Sequence, residues 1–282
     1  MYYRAFFSLP TSIVDIHGKP ANAVRGTLNA ISSIASLYRP RRILATIDAS
    51  WRPQWRVDLL PEYKSHRLAA DNQSEITPDE LTAQIPKLIE LLKAMSIKVV
   101  EQVNYEADDC IASIVNVESN CLVVTSDRDL FQLISKERDI SLYLQSDKKE
   151  PLWDYERFLS IYNFEPAQYL DFAVLRGDPS DGLRGIEKIG EKTASRMIIE
   201  YKNIDNLKQA IKKKSIEKLS LAEKNLLAAE DYLKKALKVS GLVQDLKFDL
   251  SKSSKDSLKI EFLSKNLRVE KPVNEILRLI HD

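Results

Sequence analysis

The chain has 282 residues, of which 44% are hydrophobic, so it can form one large domain or two modest ones with a buried core. Its 42 basic and 41 acidic residues give a formal net charge of +1, which provides no global argument for binding nucleic acid. No run approaches about 18 uninterrupted apolar residues, and the first ten residues lack the pattern of a secretory signal, so we predict a cytoplasmic protein with no membrane contact.

A short strand and a long helix are predicted first. Residues 43–47 have the continuous apolar character of a buried strand. A helix is expected to begin after Thr77, with that threonine in the capping position, Pro78 as the first helical residue and Glu80 completing a capping box. We expect Pro86 to kink this helix.

Two further strands complete an alternating pattern. Residues 97–102, IKVVEQ, predict a strand, and a helix opens after it at residues 105–109. Residues 122–125 predict another strand, which feeds a second helix. Because strands that alternate with helices form parallel sheets, we predict an α/β fold with a parallel, doubly wound sheet.

The second half of the chain is predicted to be helical. Strand signals fade after Pro151, and the string RGDPSDGLRGIEKIGEKT at residues 176–193 interrupts the helical pattern with a loop. We therefore place a domain boundary near residue 155, giving domains at 1–155 and 156–282. The polar segment 68–76 has no periodicity and is expected to be a mobile loop within an arch that spans about residues 62–80.

Acidic side chains follow the predicted strands at the points where the strands end. The carboxyl ends of parallel strands meet at one edge of a sheet, where ligands collect in open α/β folds. A further acidic pair lies in the loop that contains glycine and proline. Together these positions give eight candidate metal ligands: Asp48, Glu106, Asp108, Asp109, Asp127, Asp129, Asp178 and Asp181.

Eight carboxylates at one edge would repel one another unless cations lay among them. Because the set contains no His or Cys, its oxygen donors favour Mg²⁺ or Mn²⁺ over zinc. Two such ions about 4 Å apart would promote phosphodiester hydrolysis. Taken singly, the same acidic residues are typical of first helical turns, caps and tight turns, so only their joint arrangement favours the metal hypothesis.

Several strings in the chain match one known family in order and spacing. YRAFF, PEYKSHR, YEADDCIASI, TSDRDLFQL and RGDPSDGLRGIEKIGEKTA together resemble the 5′-nuclease domain of bacterial DNA polymerase I and its stand-alone relatives. The version WRPQWRVDLLPEYK is similar to that of the free-standing actinobacterial-type members. The resemblance covers nearly the whole chain and implies a PIN-like nuclease domain followed by a helical domain of the helix-hairpin-helix (H3TH) type.

The resemblance also implies a role for each acidic position. Asp48, Glu106 and Asp108 match the ligands of a first metal ion, with Asp109 shared or in the outer sphere, and Asp127, Asp129, Asp178 and Asp181 match the second set. Lys64 and Arg67 match basic residues at the base of the arch that would hold the scissile phosphate. Without the resemblance, both would be taken for a solvated basic helix. Tyr63 is a candidate for stacking on a base, although a tyrosine beside proline is more often buried.

The string GIEKIGEKTA, within about residues 182–200, resembles the family's helix-hairpin motif. It implies a sequence-independent contact with duplex phosphates through the backbone at Gly185 and Gly190, the amides at a helix start near Thr193, and the side chains of Lys188 and Lys192. In the family, potassium can bind at this hairpin through backbone carbonyls. Two glycines five residues apart are weak evidence alone, but their place directly after RGDPSDG strengthens the assignment.

One feature of the family pattern is missing from the sequence. Family members carry a strand with an aspartate before the YRAFF string, whereas this sequence begins at Met1-Tyr2-Tyr3. We expect either an upstream start that supplies this strand or a truncated protein.

The function predicted from these features is metal-dependent 5′→3′ exonuclease and flap endonuclease activity. The expected partners are 5′ flaps, nicks, gaps, duplex DNA and RNA–DNA primer junctions, and the expected state is a monomer. One alternative is a catalytically impaired, structure-specific DNA-binding protein. A remoter alternative is a toxin-like RNase, but such proteins are much shorter and lack the hairpin.

Overall fold

The secondary structure of the computed structural model is mostly helical, and residues 1–251 and 254–280 are described. The helices, in chain order, are α1 Tyr2–Ser8, α2 Asn22–Tyr38, α3 Gln54–Leu59, α4 Asp79–Thr82, α5 Ile85–Ala94, α6 Ala107–Val117, α7 Tyr155–Tyr162, α8 Tyr169–Arg176, α9 Glu191–Tyr201, α10 Ile204–Lys212, α11 Leu221–Ala228, α12 Glu230–Ser240, α13 Ser257–Leu267 and α14 Glu270–Leu279. The strands are β1 Leu44–Thr46, β2 Lys98–Val100, β3 Cys121–Thr125, β4 Ile140–Leu144 and β5 Leu152–Trp153.

The buried apolar residues form separate cores in two units of the chain. Unit 1 comprises residues 1–47, 76–101 and 248–282, and unit 2 comprises residues 48–75 and 102–247. Every predicted metal ligand and every predicted DNA-contacting residue belongs to unit 2. The predicted boundary near residue 155 falls between β5 and α7 of unit 2 and remains a prediction.

Unit 1 contains the first predicted strand, and its parallel partner is β2. Residues 44, 45 and 46 are each half-buried, so the expectation of a buried strand is wrong. Among the described residues, β1 pairs with a strand on one side only, so its other edge has no strand partner.

The long helix predicted in unit 1 is two helices. α4 ends at Thr82, and α5 begins at Ile85 with Pro86 in its first turn. Proline lacks an amide hydrogen and fits a first turn better than a helix interior, so it divides the helix where a kink was expected. The expected cap also differs, because Pro78 precedes the first helical residue and the Thr77 hydroxyl instead bonds to the Tyr3 hydroxyl.

Unit 2 contains a mixed three-stranded sheet in the order β3-β4-β5. β3 and β4 are parallel with Cys121 opposite Ile140, whereas β5 runs antiparallel to β4. Strand β4 was not predicted from the sequence, although the alternate residues Ile140, Leu142 and Leu144 are buried, which is the pattern of a strand. The described strands form two sheets, one of them mixed, instead of the single parallel sheet that was predicted.

The chain after residue 155 is mostly helical, as predicted, and its helices pack around an aromatic core. Phe158, Tyr169 and Phe172 are fully buried, and Phe131 after β3 contacts Tyr169 with ring centroids 5.3 Å apart. This core joins the sheet of unit 2 to α7 and α8, and α8 leads directly into the acidic loop at residues 178–181. No helix in the described residues is long and apolar enough to cross a membrane.

Candidate active site and nucleic-acid interface

The turn after β3 presents two of the predicted carboxylates. The strand ends at Thr125, whose hydroxyl accepts a hydrogen bond from the Asp127 amide at 3.0 Å. The Asp127 Oδ1 in turn accepts one from the Asp129 amide at 2.8 Å, and a 3₁₀ turn begins there. These local bonds fix the chain direction, so both aspartates follow the carboxyl end of the strand as predicted.

The start of α6 carries Glu106, Asp108 and Asp109, and Asp48 lies against it. Glu106 precedes the first helical residue, and its amide donates to Asp109 Oδ2 at 3.1 Å, which satisfies an amide that the helix leaves unpaired. Asp48 Oδ1 accepts a hydrogen bond from the Ala107 amide at 2.7 Å. Asp48 and the α6 carboxylates are therefore brought together, although 58 residues separate Asp48 from Glu106 in the sequence.

The acidic loop at residues 178–181 is held against the segment that carries Lys64. The Lys64 amide donates to the Asp181 carbonyl at 3.0 Å. Gly182 has φ +75°, and a Cβ there would lie 2.4 Å from the Glu62 carbonyl oxygen, so only glycine permits this approach. Gly182 was not predicted to have this role, and its position in the RGDPSDG string was the available signal.

Arg56 is a second functional residue that was not predicted from the sequence. Its side chain is buried, and its guanidinium donates to Asp109 at 2.7 and 2.8 Å and to Glu106 at 3.0 Å. Asp109 also accepts bonds from the Glu106 and Val243 amides, so four donors occupy its oxygens. The structure places Asp109 in the support of the site, where Arg56 neutralises it. Arginine suits a bidentate contact with a carboxylate. However, Arg56 lies on α3 and Asp109 on α6, so no local pattern in the sequence indicated this pair.

Lys64 lies between two of the carboxylates. Its Nζ is 2.6 Å from Glu106 Oε1 and 4.0 Å from Asp181 Oδ1. Burial alone lowers the pKa of Lys64, but Glu106 and Asp181 together raise it above its usual value, so the ammonium stays charged. Arg67, farther out, donates to the Ser180 carbonyl at 2.8 Å and lies 3.4 Å from Asp181.

Tyr63 is not at a surface where it could stack on a base. It is 2% exposed, and its hydroxyl donates to Glu106 at 2.8 Å. Burial, followed by the negative charge of Glu106, raises the pKa of Tyr63, so the hydroxyl remains a donor. The expectation of base stacking is therefore corrected: this tyrosine belongs to the hydrogen-bonded support of Glu106.

Asp108 and Asp129 differ from the other carboxylates because they have neither a hydrogen-bond donor nor a salt-bridge partner among the described residues. Both are half-buried. Burial and then the charge of Asp127 raise the pKa of each, with Asp48 also acting on Asp108 and Asp181 on Asp129. Negative charge thus accumulates at this edge beyond what the nearby basic residues neutralise.

The described ranges 1–251 and 254–280 contain no group of three or more Asp, Glu, His or Cys side chains that is already arranged to hold a metal ion. Glu106 and Asp181 lie beside Lys64, and Asp109 binds Arg56. These ion pairs partly explain why no preformed metal site is found. Oxygen-only donors with uncompensated charge fit Mg²⁺ or Mn²⁺, provided that side chains reorient when the ion binds.

The predicted hairpin precedes α9. Gly190 caps the helix and is exposed, a Cβ added to it would meet nothing within 4 Å, and no side chain caps the first turn. Lys188 and Lys192 are exposed, and neither has a salt-bridge partner among the described residues, whereas Thr193 is half-buried. Gly185 is buried and its amide donates to the Tyr232 hydroxyl, so it lies beneath the hairpin and not on its surface.

The expected arch segment contains a short 3₁₀ turn, Ser65–Arg67, followed by a loop without regular helix. The Ala69 amide donates to the Ser74 carbonyl at 2.8 Å, and Asp71 accepts bonds from the amides of Gln73 and Ser74. The loop is thus a closed turn stabilised by local polar bonds. Whether it is mobile remains a prediction.

Comparison with known proteins identifies two family models along the chain. The model for the 5′-3′ exonuclease N-terminal resolvase-like domain matches residues 1–163, and the model for the 5′-3′ exonuclease C-terminal SAM fold matches residues 164–262. A 5′-3′ exonuclease of Streptomyces coelicolor is 37% identical, with 87% of this chain and 84% of that protein covered. A 5′-3′ exonuclease of Mycobacterium tuberculosis is 35% identical, with 89% and 83% covered.

Solved structures agree on the fold. The T5 D15 protein co-crystallised with metal ions aligns with a TM-score of 0.63 at 18% identity, covering 91% of this chain and 89% of that one. The catalytic core of Rad2 in complex with DNA substrate aligns with a TM-score of 0.57 at 16% identity, covering 99% and 90%. The predicted α/β nuclease fold with a helical second domain is confirmed, as is the predicted family. Two matching family models and two relatives above 30% identity show that the chain belongs to the 5′-3′ exonuclease family.

Proposed function

We propose that this chain is a divalent-metal-dependent phosphodiesterase that removes 5′ flaps and RNA primers from DNA. The observation that carries this proposal is the pair Asp108 and Asp129, half-buried carboxylates with no cationic partner in the described part of the chain, on the edge where Asp48, Asp127 and the acidic loop also converge. Uncompensated carboxylates are costly unless a cation binds them, so the edge is suited to hold metal.

The proposed ligands of two Mg²⁺ or Mn²⁺ ions divide by location. Asp48, Glu106 and Asp108 would hold one ion, and Asp127, Asp129, Asp178 and Asp181 the other, with Asp109 confined to the outer sphere by its four donors. When bound, the ions would lower the pKa of the attacking water and neutralise charge on the scissile phosphate.

Lys64 and Arg67 are the proposed phosphate-binding residues. Lys64 keeps its charge beside Glu106, and a cation that attracted Glu106 would free the ammonium for a phosphate oxygen. Arg67 is the more exposed of the two, so it is placed to meet a substrate first. Neither residue needs to transfer a proton in this scheme.

The hairpin is the proposed contact with duplex DNA. The hairpin has open space at Gly190 and an uncapped first turn of α9, and Lys188 and Lys192 have no ion-pair partner among the residues described. These features suit phosphates, and Thr193 lies at the same helix start. Potassium bound by backbone carbonyls of this hairpin would add positive charge there. The proposed substrates are 5′ flaps, nicks, gaps and primer junctions, bound by a monomer whose duplex-binding part begins near residue 155.

The test is digestion of a 5′-labelled flap in Mg²⁺ or Mn²⁺, with EDTA as the metal-free control. We expect Asp127→Ala and Asp178→Ala to abolish cleavage while flap binding stays the same or tightens, because negative charge near phosphate is removed. Asp147→Asn is a matched control, since Asp147 pairs with Arg157 away from the site. Cleavage by the wild type in EDTA, or full activity in both alanine variants, would contradict the proposal. Flap binding without any cleavage would instead favour the catalytically impaired DNA-binding protein.

A further inference from the structure

Helix α12 contacts the base of the hairpin through Tyr232. The Tyr232 hydroxyl accepts a hydrogen bond from the Gly185 amide at 3.0 Å, and the side chain is 7% exposed. The Arg184 guanidinium lies 4.6 Å from the centre of the same ring. Because Gly185 has φ +67° and its backbone is packed against Arg176, this bond joins α12 to a part of the hairpin that has little freedom to move.

The other end of α12 contacts the support of the carboxylates. Arg56 Nε donates to the Val239 carbonyl at 2.9 Å, and Nη2 donates to the Gly241 carbonyl at 3.3 Å. These carbonyls end the helix and have no partner within it, so a guanidinium satisfies them well. The same guanidinium binds Asp109 and Glu106 at the start of α6.

The segment after α12 is also fixed along α6. The Val243 amide donates to Asp109 Oδ1 at 3.0 Å, and the Ser113 hydroxyl donates to the Val243 carbonyl at 3.0 Å. The Asn116 side-chain amide donates to the Gln244 carbonyl at 2.9 Å. The C-terminal end of α12 is therefore attached to the helix that begins with Glu106, and it is not held by Arg56 alone.

We propose that α12 is a spacer that sets the distance from the hairpin to the cleavage edge, with Tyr232 and Arg56 as its two positioning residues. The inference rests on the proposed function. Seven residues separate Tyr232 from Val239, which spans about 10 Å of helix. A helix packed against α3 and α8 is stiff over that length, so a duplex held by the hairpin would meet the metal site at a fixed phosphate. The spacer would thus determine where the enzyme cuts.

The test compares Tyr232→Phe and Arg56→Lys with two matched controls. Tyr155→Phe removes a hydroxyl that bonds to Glu165, and Arg157→Lys alters a guanidinium that binds the Glu150 and Leu152 carbonyls and Asp147. On a flap substrate, we expect both spacer variants to lower kcat by about tenfold and to spread cleavage over neighbouring positions, with KM within about twofold of the wild type. The controls should cut at the wild-type position.

Hydrogen exchange measured on the same proteins separates this inference from the proposed function. Arg56→Lys should speed amide exchange at residues 183–190 by roughly fivefold, although Arg56 does not contact the hairpin, because the far attachment of the spacer is loosened. If the wild type cleaves and both spacer variants cut at the wild-type position with wild-type kcat, the spacer is wrong and the proposed function stands. If the wild type does not cleave at all, the proposed function fails. Exchange at residues 183–190 then decides whether the spacer exists, and an unchanged rate would overturn it.

Discussion

Two groups of carboxylates at the same edge of unit 2 have opposite surroundings. Glu106 and Asp109 are buried and receive charged donors, chiefly Arg56 and Lys64. Asp108 and Asp129 are half-buried and receive none among the described residues. We call these the paired and the unpaired carboxylates.

The difference shows that residue type alone does not decide the role of an acid at this edge. The buried pair of Asp109 and Arg56 is part of the scaffold, because removing either partner would leave a buried charge without compensation. Glu106 contacts both Arg56 and Lys64, and it remains a proposed metal ligand. An unpaired carboxylate destabilises the metal-free protein, and a bound cation removes that destabilisation. Asp108 and Asp109 are neighbours in the sequence, yet they belong to different groups because successive helical residues point about 100° apart.

The largest expected effect separates the two groups by activity. Asp108→Asn or Asp129→Asn should reduce single-turnover flap cleavage by about 1,000-fold, equivalent to about 4 kcal/mol of activation free energy, because a metal ligand is lost. The melting temperature without metal should stay the same or rise, since each variant removes an uncompensated charge. A large fall in melting temperature without metal would show that these carboxylates are structural and would remove the distinction.

The paired group should respond in the opposite way. Arg56→Ala should lower the free energy of unfolding by about 3–4 kcal/mol, because Asp109 would remain buried without its partner. Arg67→Ala is the comparison, and a loss of under about 1 kcal/mol is expected because this arginine is partly exposed. Urea denaturation measures both. Equal losses in the two variants would contradict the assignment of Arg56 to the support.

Two glycines sharpen the same contrast between scaffold and binding surface. Gly182→Ala should cost about 1–3 kcal/mol of stability, because φ is +75° and the Glu62 carbonyl is too close. Gly190→Ser should leave the melting temperature nearly unchanged, since serine is a good helix cap and the space is open, but it should weaken duplex binding. Thermal unfolding and binding titrations on both variants provide the check. If neither variant bound duplex DNA more weakly than the wild type, the proposed interface would be contradicted.

The smallest expected effect concerns the hairpin lysines. Replacing Lys188 and Lys192 together by alanine should weaken binding to all duplex sequences alike and lower the salt slope, in log–log form, by about 2, because each phosphate contact releases counterions. Lys136→Ala is a suitable control, since that lysine pairs with Glu156. An unchanged slope in the double variant would exclude these lysines from the interface.

Much of the site was predictable because its signals are local. Asp127 and Asp129 follow an apolar strand, and their placement depends on bonds that span two residues. Lys64 was found through a family motif, and the structure places it beside Glu106. By contrast, the break between α4 and α5 before Pro86 was not predicted. Local helix propensity does not distinguish one kinked helix from two separate helices.

The sequence by itself determined the family, the α/β character, the helical second half and the positions of the acidic residues, because each of these follows from motif order and short-range periodicity. Tertiary structure alone decided which acids are neutralised, why Tyr63 is buried and why the Gly185 amide is taken by Tyr232. The reason is physical: the charge on a carboxylate is neutralised by whichever donor lies nearest in space. For Asp109 that donor is Arg56, 53 positions away along the chain.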